Sequence, residues 1–104
     1  MSPIRLTQAT ALVLVALARG HRHGFEIMEA TGLASGTVYP VLHRLEEERA
    51  VTSAWEDQDE ANQAGRPRRR VYALTPSGQE HAARARRRLV GARDLLGGLE
   101  EQGG

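Results

Sequence analysis

Apolar residues recur along this chain at two different periods, helical at both ends and alternating in between. Ala9, Leu12, Val13, Ala16 and Leu17 follow helical spacing, with Thr7 placed to cap the start and Gly20 to close the end. Leu14, Val15 and Ala18 make the opposite side of that helix apolar as well. A helix apolar all round must be covered all round, so it is expected to pack into its own core on one side and against a second chain on the other. A short helix over 24–31 follows, with Phe25, Ile27 and Met28 as its apolar positions, and then the turn Gly32-Leu33-Ala34. Ser35 is read as the cap of a third helix, 35–48, which turns Val38, Val41, Leu42 and Leu45 inward. Thr37, Tyr39, Pro40, His43, Arg44 and Glu47 are left toward the outside. Pro40 lacks a backbone donor and crowds the preceding turn, so a bend or tightening is expected there.

Two helices joined by a three-residue turn containing glycine have the pattern of a helix-turn-helix unit, in which the second helix is the reader. Its N-terminal end would combine free N–H groups of Gly36 to Val38 with the hydroxyls of Ser35, Thr37 and Tyr39, an arrangement suited to phosphate oxygens. After Ala50 the period becomes two. Val51, Ser53 and Trp55 share one side of a first strand, and Tyr72 and Leu74 one side of a second. The polar stretch QDEANQAGRP between them predicts a hairpin with a long, mobile tip. Thr75 caps a last helix with Pro76 at its first position, where proline is favoured. Gly78 stands where a reciprocal capping box would place Glu or Gln.

In that last helix Ala82, Ala85, Leu89, Ala92, Leu96 and Leu99 repeat at alternating spacings of three and four. Seams of this kind seek another helix, but the run is short, alanine-rich and interrupted by Gly91, Gly97 and Gly98. Together with Leu14 and Val15 on the outer side of the first helix it predicts a two-fold dimer contact.

The chain has 104 residues, which favours a single small domain that gains from a partner chain. Its net charge is only +1, yet the distribution is strongly dipolar. Residues 44–60 carry seven acids against Arg44 and Arg49, whereas residues 61–93 carry nine arginines against Glu80. Arg66, Arg68, Arg69 and Arg70 fall on the hairpin, where they could grip a DNA backbone beside the groove entered by the reader helix. The lesser alternative is that they only keep an edge hairpin soluble. All fourteen basic residues are arginine, a bias that genome composition can produce.

The absence of cysteine excludes a disulfide framework, a thiolate zinc site and a thiol redox sensor. The apolar run at residues 9–18 mimics a secretory signal, but it is too short to span a bilayer and its removal would take away a needed helix. A cytoplasmic location and no membrane contact are expected. No nucleophile-elbow, dinucleotide or P-loop pattern is present, so no enzymatic activity and no cofactor are expected. His21 and His23 could bind metal with His43 or His81, but two histidines in a short loop are more often ordinary polar residues, and no metal site is assigned. Trp55 is read as packing the hairpin onto the body, with stacking on an aromatic effector as the alternative.

Helix, helix, reader helix, hairpin, helix is the order of a winged helix-turn-helix: a mainly α fold with a small β-hairpin (α1-α2-α3-β-β-α4) and a C-terminal dimerisation helix. The segments HGFEIMEATGLASGTVYPVLHRLEEERAV and GRPRRRVYALTPSG, with Trp55 between them, resemble the PadR family of bacterial transcriptional regulators over roughly residues 9–80. That resemblance implies a dimeric repressor of double-stranded DNA, with Thr37, Tyr39, Pro40 and Arg44 on the recognition helix and the hairpin arginines on the wing. Phe25 stands where the family more usually has Tyr, and Ala50 where it commonly has Gly. If Ala50 needs positive φ, it is strained by roughly 1 kcal/mol.

The expected division is a DNA-binding region at 1–74, a dimerisation helix at 75–99 and a flexible tail at 100–104. DNA-binding residues are expected at Ser35, Thr37, Tyr39, Pro40, His43, Arg44, Arg66, Arg68, Arg69 and Arg70. The dimer contact is expected at Leu14, Val15, Ala82, Ala85, Leu89, Ala92 and Leu96. A small-molecule effector is left open. The rival reading is a winged-helix module whose basic wing meets an acidic protein, with residues 46–60 able to mask the wing.

Overall fold

The computed structural model describes residues 5–103, with side chains through residue 97. Its elements are α1 (Gln8–Ala18), α2 (Gly24–Thr31), α3 (Ser35–Glu47), β1 (Val51–Trp55), α4 (Gln58–Gln63), β2 (Arg70–Leu74) and α5 (Pro76–Gly103). This is the winged helix-turn-helix that the hydrophobic periods predict, with one added helix inside the wing.

The core forms where α1, α2 and α3 cross. Val13, Leu14, Ile27, Val38, Leu42 and Leu45 are fully buried there. The second apolar side of α1 is covered by this chain's own α5, which lies back along it and buries Ala82 and Ala85. Leu14, at 0% exposed, and these two alanines are therefore taken out of the expected dimer contact. The sequence reading went wrong because a helix apolar all round needs two partners, and a long α5 from the same chain can be one of them. Alanine at the crossing lets the two backbones approach closely.

Helix ends follow local chemistry. The Thr7 hydroxyl accepts the Thr10 N–H at 3.2 Å, as its position predicts. Ser35, in contrast, is the first residue of α3 rather than its cap; Ala34 holds the cap position with no side-chain bond. Helix α3 continues unbroken through Pro40. It ends in a paired closure in which the Arg49 N–H reaches the Glu46 carbonyl and the Ala50 N–H the Leu45 carbonyl. The left-handed residue of that closure is Arg49, at φ 61°, and not Ala50, which is buried. The strain expected at Ala50 thus falls one residue earlier.

This closure meets the start of α5. The Thr75 N–H bonds to the Ala50 carbonyl at 3.0 Å, and its hydroxyl donates to the Arg49 carbonyl at 2.7 Å while accepting the Gly78 N–H at 3.1 Å. A Cβ placed on Gly78 would fall 1.9 Å from the Ala50 carbonyl oxygen. That contact gives the physical reason for glycine where a capping box would have had Glu or Gln.

The wing is an antiparallel pair in which Val51 faces Leu74, Ser53 faces Tyr72 and Trp55 faces Arg70. It is tied to the α1–α2 loop by a bond from the Tyr72 N–H to the Arg22 carbonyl at 2.8 Å. The tip expected to be a long mobile loop contains α4, capped by Asp57, whose carboxylate accepts the N–H groups of Asp59 and Glu60. At the other end of the chain, α5 continues past residue 99 to Gly103, so the expected tail is largely helical; Gly104 lies outside the described residues.

Candidate nucleic-acid interface

Helix α3 buries one side completely and leaves Ser35, Gly36, Tyr39, Pro40, His43, Arg44 and Glu47 exposed, with Thr37 half-buried. The N–H groups of Thr37 and Val38 both bond to the Ala34 carbonyl at 3.0 Å. Only the N–H groups of Ser35 and Gly36 therefore remain at the open end of the helix, fewer than the three expected. Tyr39 lies against the start of α2, where a Cβ on Gly24 would fall 2.4 Å from its hydroxyl. The glycine at 24 is what leaves room for that ring. His43 faces Glu47 at 2.9 Å, whereas Arg44 is paired with no carboxylate among the described residues.

The four wing arginines separate into two pairs. Arg66 forms a bidentate ion pair with Glu56, one arm of which spans 2.8 Å. Arg69 lies 3.5 Å from the same carboxylate and 3.0 Å from Nε2 of His23, and its own N–H also points at Glu56. The other ring nitrogen of His23, Nδ1, is buried with no partner among the described residues. The Glu56 side chain is only 8% exposed, and Arg66 beside it holds its carboxyl down at about 2. Hydrogen bonding from Arg66 leads that shift, against the cost of burial, and the same bond raises the guanidinium above its ordinary value. Arg66 and Arg69 thus staple the ends of the wing loop and dock it on the α1–α2 loop. One carboxylate thus engages both guanidiniums and offsets one of their two charges.

Arg68 and Arg70 are exposed and lie instead over the ring of Trp55, at 5.7 and 5.4 Å from its centroid. Arg70 also donates to the Ser53 hydroxyl at 3.1 Å and stands 3.9 Å from Glu46 on α3. Trp55 is 57% exposed, so it does not pack the wing onto the body as expected. It shares a side with Val51 and Tyr72, but burial falls off along β1 from Val51 to Trp55 because the hairpin outruns the core. Glu56 was not singled out in the sequence, and His23 only as a possible metal ligand. Glu56 sits at the end of an alternating strand like any solvated acid, and only folding brings Arg66 and Arg69 to it.

Of the expected dimer residues left on the surface, Val15 and Leu89 are half-buried and Ala92 and Leu96 exposed. Val90 and Leu95 add to the exposed apolar surface of α5, while the Leu99 side chain lies outside those described. A groove of about 1010 Å³ runs between the end of α1, β2 and α5, with Val15, Leu89, Arg86 and Arg93 on its walls. His21 and His23 face Glu26 at 3.8 and 3.2 Å. Among the described residues no cluster of three or more His, Asp or Glu is placed to hold a metal ion, and no helix is long and apolar enough to cross a membrane.

Comparison with known proteins places this geometry among regulators. Residues 13–84 match the model of the transcriptional regulator PadR-like family. The transcriptional regulator Rv3488 of Mycobacterium tuberculosis is 38% identical over 84 residues, covering 80% of this chain and 67% of that protein. A PadR family transcription regulator from Clostridium difficile superposes with a TM-score of 0.70 at 19% identity, covering 89% of this chain and 98% of that one. The adhesin competence repressor of Streptococcus pyogenes superposes with a TM-score of 0.74 at 13% identity, covering 94% of this chain and 68% of that one. The chain thus spans about two thirds of the length of the first and third of these proteins.

Proposed function

The chain belongs to the PadR-like family of transcriptional regulators, and from that premise we propose that it is a homodimeric repressor that reads a near-palindromic operator. Helix α3 enters the major groove and presents Tyr39, Pro40, His43 and Arg44 to base edges, while Ser35 and Thr37 at its start meet the phosphates. Arg68 and Arg70 on the wing hold the backbone alongside. Arg66 and Arg69, also expected on the DNA, act from behind by fixing the wing loop. The observation that carries this reading is the division of the arginines. Arg44 and Arg68, with no carboxylate partner among the described residues, stand on the reader helix and on the wing, where phosphate and base contacts would need uncommitted charge.

The second copy docks on the outer part of α5. At 28 residues this helix is about 42 Å long, and beyond Leu89 its apolar Val90, Leu95 and Leu96 are exposed among the described residues. The contact then runs from Leu89 through Ala92 to Leu96, with Val15 at its edge. The groove beside it would be closed by the partner and offers space for an effector. Residues 1–74 form the DNA-binding region, and the helix from Thr75 onward the dimerisation region. Repression follows from occupying a promoter.

Binding selection from a random duplex library tests this reading. Two-fold symmetry requires inverted half-sites whose centres lie about 10 to 10.5 base pairs apart, or a multiple of that. Arg44→Ala relaxes one symmetric pair of positions, at about 1–3 kcal/mol per guanine contact. A non-palindromic site, or no enriched site, overturns the proposal.

A further inference from the structure

We propose that Trp55 is a positioning residue for DNA binding, its neutral ring holding the Arg68 and Arg70 guanidiniums in place for two phosphates. The inference rests on the DNA-binding reading above and adds a residue to it. Trp55 is the only tryptophan of the chain, and it sits on the wing with more than half its surface exposed. Burial does not account for an indole there, since the core ends at Val51 and Tyr72.

What the ring touches does account for it. Both guanidiniums lie within the distance at which a cation is attracted to an aromatic face. Arg70 is brought there by strand register, directly opposite Trp55, and is held further by the Ser53 hydroxyl. Two like charges are thereby gathered on one small surface against their mutual repulsion.

The contrast with the other pair shows what this arrangement does. Glu56 orders Arg66 and Arg69 by pairing with them, and so offsets one of their two charges and occupies donors that a phosphate would need. Over the Trp55 ring Arg68 is also ordered but has no carboxylate partner among the described residues, and Arg70 has only Glu46, at the longer distance of 3.9 Å. The wing therefore uses a carboxylate to build itself and an aromatic ring to prepare its binding surface. Holding long side chains before the encounter removes rotamer entropy that binding would otherwise have to overcome.

The test is a double-mutant cycle on the full chain, probed with a random-sequence duplex of about 30 base pairs over a salt series starting near 50 mM. Trp55→Leu is expected to weaken binding about tenfold while leaving the salt slope nearly unchanged, because the charges remain. Trp55→Phe, which keeps an aromatic face, stays within about threefold of wild type. Arg68→Ala with Arg70→Ala lowers the slope by about two per protomer, and adding Trp55→Leu to that pair costs nothing further. An equal loss from Trp55→Leu in both backgrounds, or no rescue by phenylalanine, overturns the proposal. In the free protein, the Arg68 and Arg70 side-chain protons should resonate upfield through the ring current and lose that shift in Trp55→Leu. Ordinary positions in wild type overturn the proposal without any DNA. Clear upfield shifts in a protein that binds no duplex at low salt would instead overturn the DNA-binding reading, and this role with it.

Discussion

Two glycines of α5 should respond to alanine with opposite signs. In an isolated helix each Gly→Ala change would gain roughly 0.5–1 kcal/mol. Gly91 has open space where its Cβ would go and lies off the seam of apolar residues, so Gly91→Ala is expected to stabilise by up to that amount. At Gly78 the new Cβ falls 1.9 Å from the Ala50 carbonyl oxygen, about 1.5 Å short of an ordinary contact, and the obstacle is backbone. Relief requires α5 to move away from the end of α3. That movement strains the bonds from the Thr75 N–H to Ala50 and from the Thr75 hydroxyl to Arg49. Overpacking of about 1–3 kcal/mol and about 1 kcal/mol for each weakened bond outweigh the helical gain, for a net loss of about 2–3 kcal/mol. For a domain of this size the midpoint should fall by roughly 10–20 °C. Thermal unfolding followed by circular dichroism, at one fixed protein concentration because a dimer's midpoint depends on it, measures both variants. Gly78→Ala as stable as wild type, or as improved as Gly91→Ala, would refute the close junction of α3, β1 and α5. That junction sets the angle between α3 and α5.

The left-handed Arg49 predicts that Arg49→Gly stabilises by about 1 kcal/mol, whereas Arg49→Ala does not, because the strain comes from Cβ; denaturant midpoints at equal slope distinguish the two. The Glu56 staple predicts an acid-sensitive wing. Its carboxyl is held at about 2 against an ordinary 4.5, so its contribution is complete above 4.5 and is lost as pH falls through 2. Emission from the single Trp55, on the strand next to Glu56, should follow that transition. Glu56→Gln should flatten it, and an unchanged acid transition in that variant would assign the effect to other groups.

Much of this protein was legible in its sequence because the signals are local. Apolar spacing places α1, α2 and α3, the change to period two places the hairpin, and Thr7, Thr75 and Pro76 mark helix starts through bonds that span only a few residues. The motifs around Tyr39 and Arg66 carry the family likeness for the same reason, since each lies within one continuous stretch. What the sequence could not decide is which of several possible partners a residue meets. Leu14, Ala82 and Ala85 have the right pattern for a dimer seam, yet α5 folding back on α1 places them inside one chain. The four wing arginines are chemically identical in sequence. Only the return of the chain through α4 brings Glu56 to Arg66 and Arg69 and leaves Trp55 to Arg68 and Arg70. Charge and periodicity are properties of a residue and its near neighbours. Whether a charge is free to meet DNA depends on partners ten or more residues away, and those distances are set by packing alone.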